Sequence, residues 1–203
     1  LDLPHEAPVL DVGGGASVLV DGLVAQGWSD VSVLDLSSTA LAESATRTGP
    51  EAGVHWLHHD LLRWTPERAY GLWHDRAVLH CRVDDRDRQT YRQVLRRALR
   101  SGGAFVIGCF AADGPEQCSG LPVRRYDAND LEAFLGAGFT VQHQRREDAD
   151  QDHLAALFGR QTRSQRADDN RIVPRKHKID QQYLQKRRHR GGFGDVRKIA
   201  DNM

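Results

Sequence analysis

The sequence VLDVGGGAS at residues 9–17 decides the fold, because three glycines directly follow a short apolar run that carries an aspartate. The apolar run is typical of a buried parallel strand, and the glycines predict a tight turn into a helix. Such a turn lets the backbone approach a ligand and directs helix N–H groups towards it. We therefore interpret residues 9–17 as a candidate site for a nucleotide cofactor.

Apolar runs and helix-like stretches alternate through the first 150 residues. Strands are predicted at 7–12, 31–36, 54–60, within 70–80, at 104–110 and at 139–148. Helices are predicted at about 16–26, 38–47 and 127–138, and another begins near residue 85 and ends at Gly102 and Gly103. This alternation indicates an α/β fold, a mostly parallel Rossmann-like sheet with helices on both faces.

A glycine turn of this kind is shared by several cofactor classes. Gly13, Gly14 and Gly15 are followed by Ala16 and Ser17, so they fit only a loosened form of the dinucleotide motif G-x-G-x-x-G. A P-loop requires a Gly-Lys pair, and no lysine lies near this turn. Phosphoryl transfer is therefore excluded, whereas hydride transfer from a nicotinamide stays open.

Four acidic residues fall at or near the carboxyl ends of successive predicted strands: Asp11, Asp35, Asp60 and Asp75. This is the edge at which open α/β sheets bind ligands. Asp35 is placed to accept hydrogen bonds from two ribose hydroxyls, and Asp60 or its neighbouring backbone to meet an adenine amino group. An acidic edge suits a cationic cofactor better than a pyrophosphate.

In this order and spacing, five stretches resemble the motifs of class I S-adenosylmethionine-dependent methyltransferases: VLDVGGGAS, VSVLDLS, VHWLHHDLLRW, YGLWHDRAVLH and LRSGGAFVIGCF. The resemblance covers about residues 7–148. LWHDRAVLH and FAADGPEQCSGLPVRRYDANDLEAFLGAGF together resemble a bacterial subgroup of generic methyltransferases. The family implies a seven-strand sheet and S-adenosylmethionine as the cofactor.

The resemblance implies a role for each matching residue. The residues that it places at the cofactor are Asp11, Gly13, Gly14, Gly15, Asp35, Leu36, Asp60, Leu61 and His74. It places Asp75, His80 and Arg76 beside the reacting methyl group, as the candidate catalytic residues. Asp75 is either a general base or a carboxylate that orients the cofactor or caps a turn, and His80 is either a base or a packed core histidine.

The loop after the fifth strand is predicted to cover the acceptor. Arg124, Arg125 and Tyr126 either bind an anionic group of the acceptor or only solvate the loop. Cys118 would need a base partner to act as a nucleophile. No metal site is expected, because His58 and His59 are adjacent on a strand and point to opposite faces.

The last 53 residues differ from the rest in composition. Residues 151–203 contain 13 Lys and Arg against 6 Asp, and all four lysines lie there. We interpret 1–150 as the methyltransferase domain and 151–203 as a disordered basic tail. HLAALFGRQ is a poor match to the family's seventh strand, so the last strand is in doubt. Nucleic acid is an expected partner only through this tail.

Composition sets the remaining expectations. The three cysteines show no pairing pattern, and no apolar run approaches the roughly 20 residues that span a bilayer. We therefore expect a cytoplasmic enzyme with a small-molecule or protein methyl acceptor. Because the sequence begins with Leu1 rather than Met, a preceding N-terminal helix is left open, as is the oligomeric state. The competing hypothesis is a non-catalytic cofactor-binding or RNA-associated protein with a degraded methyltransferase domain.

Overall fold

The computed structural model describes residues 2–149 and 152–162. The strands of its main sheet are β1 (Val9–Val12), β2 (Val31–Asp35), β3 (His55–His58), β4 (Tyr70–Arg76), β5 (Leu99–Phe110), β6 (Phe139–Ala149) and β7 (Asp152–Gln161). The helices are α1 (Leu19–Ala25), α2 (Ser38–Thr48), α3 (Asp85–Ala98) and α4 (Ala128–Leu135). Single 3-10 turns lie at Pro50–Ala52, Leu61–Arg63 and Leu79–Cys81.

The seven strands are ordered β3-β2-β1-β4-β5-β7-β6. The first five are parallel, and β7 runs antiparallel to both β5 and β6. Alternate residues along β1 enter different cores: Leu10 packs with Trp73 and Tyr91 on one face of the sheet, and Val9 packs with Leu72 on the other. Both faces are therefore covered, and the predicted Rossmann-like α/β fold is confirmed.

The doubt about the seventh strand was wrong. Strand β7 pairs with β5 from Ala104↔Arg160 to Phe110↔Leu154 and with β6 along its other side. Its small residues hide the usual strand signal, but they match the space that is present. A Cβ on Gly159 would come within 2.1 Å of the Thr140 carbonyl oxygen and 2.4 Å of the Phe105 ring. The strand therefore lies within the stretch that we predicted as tail, and residues 163–203 of that tail lie outside the described residues.

The boundary between α3 and β5 also differs from the prediction. The helix ends at Ala98 and the strand begins at Leu99, so Gly102 and Gly103 lie inside β5 instead of ending the helix. Leu99 pairs with Tyr70, and the register shifts before Leu72 pairs with Ala104. Gly102 has φ +74°, a conformation that glycine tolerates best. The glycines therefore accommodate an irregularity at the start of the strand.

Within residues 2–149 and 152–162, no helix has both the length and the apolar character that a membrane span requires.

Candidate cofactor and acceptor site

The glycine turn after β1 brings the backbone against two carboxylates. Gly13 and Gly15 have φ +68° and +43°, which glycine adopts most readily. A Cβ on Gly14 would lie 2.4 Å from Asp11 Oδ2, and one on Gly15 would lie 2.9 Å from Asp35 Oδ2. Side chains are therefore excluded from this turn by the carboxylates as well as by backbone conformation.

Asp11 and His74 form a buried pair beneath the turn. They occupy aligned positions of β1 and β4, and His74 Nδ1 lies 2.8 Å from Asp11 Oδ1. Both residues are less than 5% exposed. Asp11 Oδ2 has no hydrogen-bond partner among the described residues. A buried carboxylate oxygen without a partner carries a desolvation cost that a donor from a ligand would relieve.

Asp35 and Leu36 follow at the end of β2. Asp35 is buried, and its Oδ1 accepts a hydrogen bond from Ser37 N at 2.7 Å. The Leu36 carbonyl oxygen lies 3.1 Å from His58 Nε2. Asp35 Oδ2 is the atom nearest to the Cβ position of Gly15. Asp35, which was predicted to bind the ribose, therefore lies directly beside the glycine turn.

Asp60 and Leu61 lie after β3, where the chain makes a 3-10 turn. Asp60 Oδ1 accepts a hydrogen bond from Leu62 N at 3.0 Å, and Asp60 Oδ2 lies 3.7 Å from Arg63 Nε. Leu61 is buried, whereas Asp60 is half-buried. The carboxylate thus fixes the turn while it remains reachable from the edge of the sheet.

Asp75 is enclosed by donors. Its Oδ1 accepts from Val78 N at 2.8 Å, and its Oδ2 accepts from Leu79 N at 3.1 Å and from the Tyr91 hydroxyl at 2.6 Å. Tyr91 in turn accepts a hydrogen bond from Trp73 Nε1 at 3.1 Å. Complete burial raises the pKa of Asp75, although these hydrogen bonds oppose the rise. The geometry favours the turn-capping alternative for Asp75 over general-base work.

Arg76 and Ala77 lie where β4 ends. The Arg76 side chain packs over Gly108 of β5, at 3.4 Å from the Cβ position of that glycine. Ala77 has φ +74°, which is unusual for a residue with a Cβ, and Ala77 N donates to the Gly108 carbonyl oxygen at 3.0 Å. Strained backbone of this kind is often found at functional sites. No residue pattern in the sequence indicates this backbone conformation.

His80 is the candidate catalytic residue with the most unusual surroundings. It is buried, it stacks on Phe110 with ring centroids 4.8 Å apart, and neither ring nitrogen makes a hydrogen bond of ordinary geometry with a described residue. Cys118 lies against it. The contact with Cys81, followed in size by the contact with His80, lowers the pKa of the Cys118 thiol to about 4, although partial burial opposes this. Cys81 was not a predicted site residue, and its position next to His80 was the only local signal.

The loop after β5 forms an open cavity of about 420 Å³. Its lining residues are Val83, Ala112, Val123, Arg124, Arg125 and Asp130. Arg124 lies 3.8 Å from Asp85, and Arg125 lies 3.3 Å from Glu116 and donates to the Gly114 carbonyl oxygen. The two arginines therefore already contact acidic or carbonyl groups of α3 and of the loop.

Tyr126 does not line this cavity. It is buried, its hydroxyl accepts a hydrogen bond from Arg88 Nε at 2.9 Å, and its N–H donates to the Phe110 carbonyl oxygen. Burial raises the pKa of its hydroxyl, which the Arg88 guanidinium partly offsets. Tyr126 therefore anchors the loop instead of solvating it. Among the residues that the structure describes, His, Cys, Asp and Glu form no group that could hold a metal.

Comparison with known proteins finds a family match for part of the chain. Residues 9–103 match the family model described as a methyltransferase domain. No curated protein matches the chain. The matched residues run from the start of β1 into β5, so they include Asp11, the glycine turn, Asp35, Asp60 and the segment around Asp75.

Solved structures with the same fold include three methyltransferases. The 1,6-didemethyltoxoflavin-N1-methyltransferase of Burkholderia thailandensis, crystallised with 1,6-didemethyltoxoflavin and S-adenosylhomocysteine, has a TM-score of 0.65 and 25% identity over 77% of this chain and 72% of that chain. The N-methyltransferase NodS of Bradyrhizobium japonicum has a TM-score of 0.65 and 16% identity over 77% and 86%. The glycopeptide N-methyltransferase MtfA, complexed with S-adenosylhomocysteine, has a TM-score of 0.62 and 17% identity over 78% and 84%. Residues 9–103 thus match the methyltransferase domain model, and the sheet that contains them has the fold of the solved methyltransferases.

Proposed function

We propose that this protein is an S-adenosylmethionine-dependent methyltransferase that acts on a small organic acceptor. The observation that carries the proposal is the glycine turn with its two carboxylates. Gly14 and Gly15 leave no room for a Cβ beside Asp11 and Asp35, and Asp11 Oδ2 has no partner among the described residues. A donor on a bound ligand would satisfy that oxygen. One solved protein with this fold, the glycopeptide N-methyltransferase MtfA, has been crystallised with S-adenosylhomocysteine, with sinefungin and with S-adenosylmethionine.

The residues at this edge fit the parts of the cofactor. Asp35 accepts hydrogen bonds from the ribose hydroxyls, and Asp60 with Leu61 binds the adenine. Gly13, Gly14 and Gly15 bind the amino-acid end through the backbone, with Asp11 and His74 below them. When bound, S-adenosylmethionine supplies a methyl group on a cationic sulfur. The carboxylates at this edge of the sheet stabilise that positive charge.

The acceptor side is formed by the turn after β4 and the loop after β5. Arg76 is the last residue of β4, His80 lies on that turn, and the cavity of about 420 Å³ lies against the loop. Methyl transfer is an in-line displacement, so the protein mainly aligns the acceptor and removes a proton where the nucleophile carries one. We assign proton removal to His80, because its ring nitrogens are not used in ordinary hydrogen bonds with described residues. We assign Asp75 the role of positioning that turn through Val78 N and Leu79 N.

Calorimetry with S-adenosylhomocysteine tests the cofactor site. We expect the wild type to bind and Asp35→Asn to bind at least about tenfold more weakly, because a hydrogen bond to a charged group contributes about 1.5–3 kcal/mol. Asp30→Asn is the matched control, since Asp30 lies just before the other end of β2 and pairs with Arg68. We expect it to bind like the wild type. A folded wild-type protein that binds neither S-adenosylmethionine nor S-adenosylhomocysteine would falsify the proposal.

A screen for S-adenosylhomocysteine production tests catalysis separately. The wild type is incubated with S-adenosylmethionine and panels of small amines, phenols, carboxylates and thiols. We expect acceptor-dependent turnover in the wild type. In His80→Gln, we expect kcat to fall while KM changes much less. Tight cofactor binding with no acceptor in any panel would instead favour the degraded, non-catalytic domain. The narrower resemblance to the bacterial generic methyltransferase subgroup stays a prediction, as does the cytoplasmic location.

A further inference from the structure

A short hairpin carries Cys118 over the turn that follows β4. Gln117–Cys118 pairs antiparallel with Leu121–Pro122. The two residues between them, Ser119 and Gly120, have φ +52° and +76°. Positive φ at both central positions is the geometry of the tight two-residue hairpin turn. The hairpin therefore holds Cys118 at a defined position instead of leaving it on an irregular loop.

A backbone hydrogen bond joins this hairpin to the segment that carries Cys81. Val123 N donates to the Glu116 carbonyl oxygen at 3.1 Å and closes the hairpin, and Arg124 N donates to the His80 carbonyl oxygen at 2.8 Å and joins the two segments. On the other side, Cys81 N donates to the Val78 carbonyl oxygen at 3.2 Å and Cys81 Sγ to that of Ala77 at 3.5 Å. The two cysteines are far apart in sequence, but the hairpin that carries Cys118 and the turn that carries Cys81 contact each other in the fold.

The cluster has the chemistry of a reactive thiol. Cys118 contacts the Cys81 side chain, the His80 imidazole and the Ser119 hydroxyl, and these contacts lower its pKa to about 4. A thiolate at neutral pH is the nucleophilic form of cysteine. Cys109 is the opposite case, because burial raises its pKa to about 12. Cys118 and Cys81 are both half-buried, and none of the three cysteines is in a disulfide.

We propose that Cys118 is a modification site for small disulfides such as glutathione disulfide, and that Cys81 resolves the adduct into an intramolecular Cys81–Cys118 disulfide. In the first step, the Cys118 sulfur attacks one sulfur of glutathione disulfide, and a glutathione thiolate leaves. In the second step, Cys81 loses its proton to the His80 imidazole or to water. Its sulfur then attacks the Cys118 sulfur, and the second glutathione leaves. Two protein thiols are oxidised and one glutathione disulfide is reduced to two glutathione molecules.

Alkylation with iodoacetamide at pH 5–9 tests the reactivity of Cys118, with peptide mass spectrometry reporting each cysteine separately. The expected Cys118 rate is nearly constant down to about pH 5, whereas an ordinary thiol slows about tenfold for each pH unit below its pKa. Cys109 in the same sample is the internal control and stays unmodified. In His80→Gln, the Cys118 profile shifts to higher pH. A wild-type Cys118 rate that falls tenfold per pH unit overturns the proposal.

Oxidation of the reduced protein with glutathione disulfide tests the resolving step. Non-reducing peptide mapping is expected to show a Cys81–Cys118 link that dithiothreitol reverses. Cys109→Ser is expected to form the same link, and Cys118→Ser none. Cys81→Ser is expected to accumulate the mixed disulfide of Cys118 with glutathione. A wild-type protein that keeps the mixed disulfide without forming the link overturns the role of Cys81, and one that gains no adduct overturns the whole proposal. All of these readouts are independent of methyl transfer.

Discussion

His74 Nδ1 lies 2.8 Å from Asp11 Oδ1, and the two residues face each other across neighbouring strands at aligned positions. The pair is buried directly below the glycine turn. One Asp11 oxygen thus contacts His74 in the interior of the sheet. The other has no partner among the described residues and lies at the proposed ligand site. Changes at Asp11 are therefore expected to alter both stability and binding.

We predict that Asp11→Asn lowers the free energy of unfolding by about 1.5–3 kcal/mol, the contribution of a hydrogen bond that involves a charged group. We also expect it to weaken S-adenosylhomocysteine binding by at least about tenfold. Urea unfolding and calorimetry measure the two effects. Asp21→Asn is the control, because Asp21 forms an exposed ion pair with Arg47 and should change stability by no more than about 1 kcal/mol. Wild-type binding by Asp11→Asn would contradict the prediction.

Gly14→Ala is predicted to abolish tight cofactor binding. Its Cβ would lie 2.4 Å from Asp11 Oδ2 and 2.7 Å from Val33 Cγ1, so the buried carboxylate or the backbone must move. Gly49→Ala is the matched control, since Gly49 has φ +84° and open space around its Cβ position. We expect Gly49→Ala to cost about 1–3 kcal/mol of stability, because its φ of +84° and ψ of +156° are tolerated almost only by glycine, and to bind normally. Equal cofactor affinities in the two variants would argue against a ligand that lies close to the Gly14 backbone.

Tyr91→Phe is predicted to destabilise the protein more at about pH 8 than at about pH 5. Burial raises the pKa of Asp75 in the folded state, so the folded protein retains a proton that the unfolded chain has released. The free energy of unfolding therefore falls as the pH rises from about 4 towards the folded pKa. The Tyr91 hydrogen bond lowers that pKa, so its removal extends the fall to higher pH. Urea unfolding at both pH values measures the difference.

Tyr126→Phe is the control for this pH dependence. Its hydroxyl is bonded to Arg88 Nε and does not contact Asp75. We expect a loss of about 1–3 kcal/mol that is the same at the two pH values. A pH-independent loss in Tyr91→Phe as well would show that the Asp75 carboxyl does not titrate between folded and unfolded states in this range.

A chain that ends at residue 150 is predicted to aggregate, whereas one that ends at residue 162 is expected to fold. The shorter chain lacks β7, which separates β5 from β6, so Phe105 and Ile107 would lie on an unpaired strand edge. Exposed apolar edges promote association between chains. Size-exclusion chromatography and far-UV circular dichroism compare the two chains. A monomeric, cooperatively folded chain of residues 1–150 would contradict the assigned role of β7.

The sequence predicted those parts of the fold that have a local signal. Strand β1, the glycine turn and the aspartates at strand ends follow from apolar runs and turn residues next to one another in the chain. Strand β7 could not be predicted in this way, because Gly159 is small to leave space for Phe105 and Thr140, which lie on other strands. The contact of Cys81 with Cys118 likewise depends on hydrogen bonds between distant segments. The enclosure of Asp75 required the position of Tyr91, which only the packing of α3 supplies.

The position of β7 also sets an order on the formation of the sheet. The strand lies between β5 and β6, although both precede it in the chain. During synthesis, β5 and β6 leave the ribosome before the strand that joins them has been made. One edge of the apolar strand β5 therefore stays unpaired until residue 161 has emerged. We expect the nascent chain to depend most on chaperones during this interval, rather than during the assembly of strands β1 to β4.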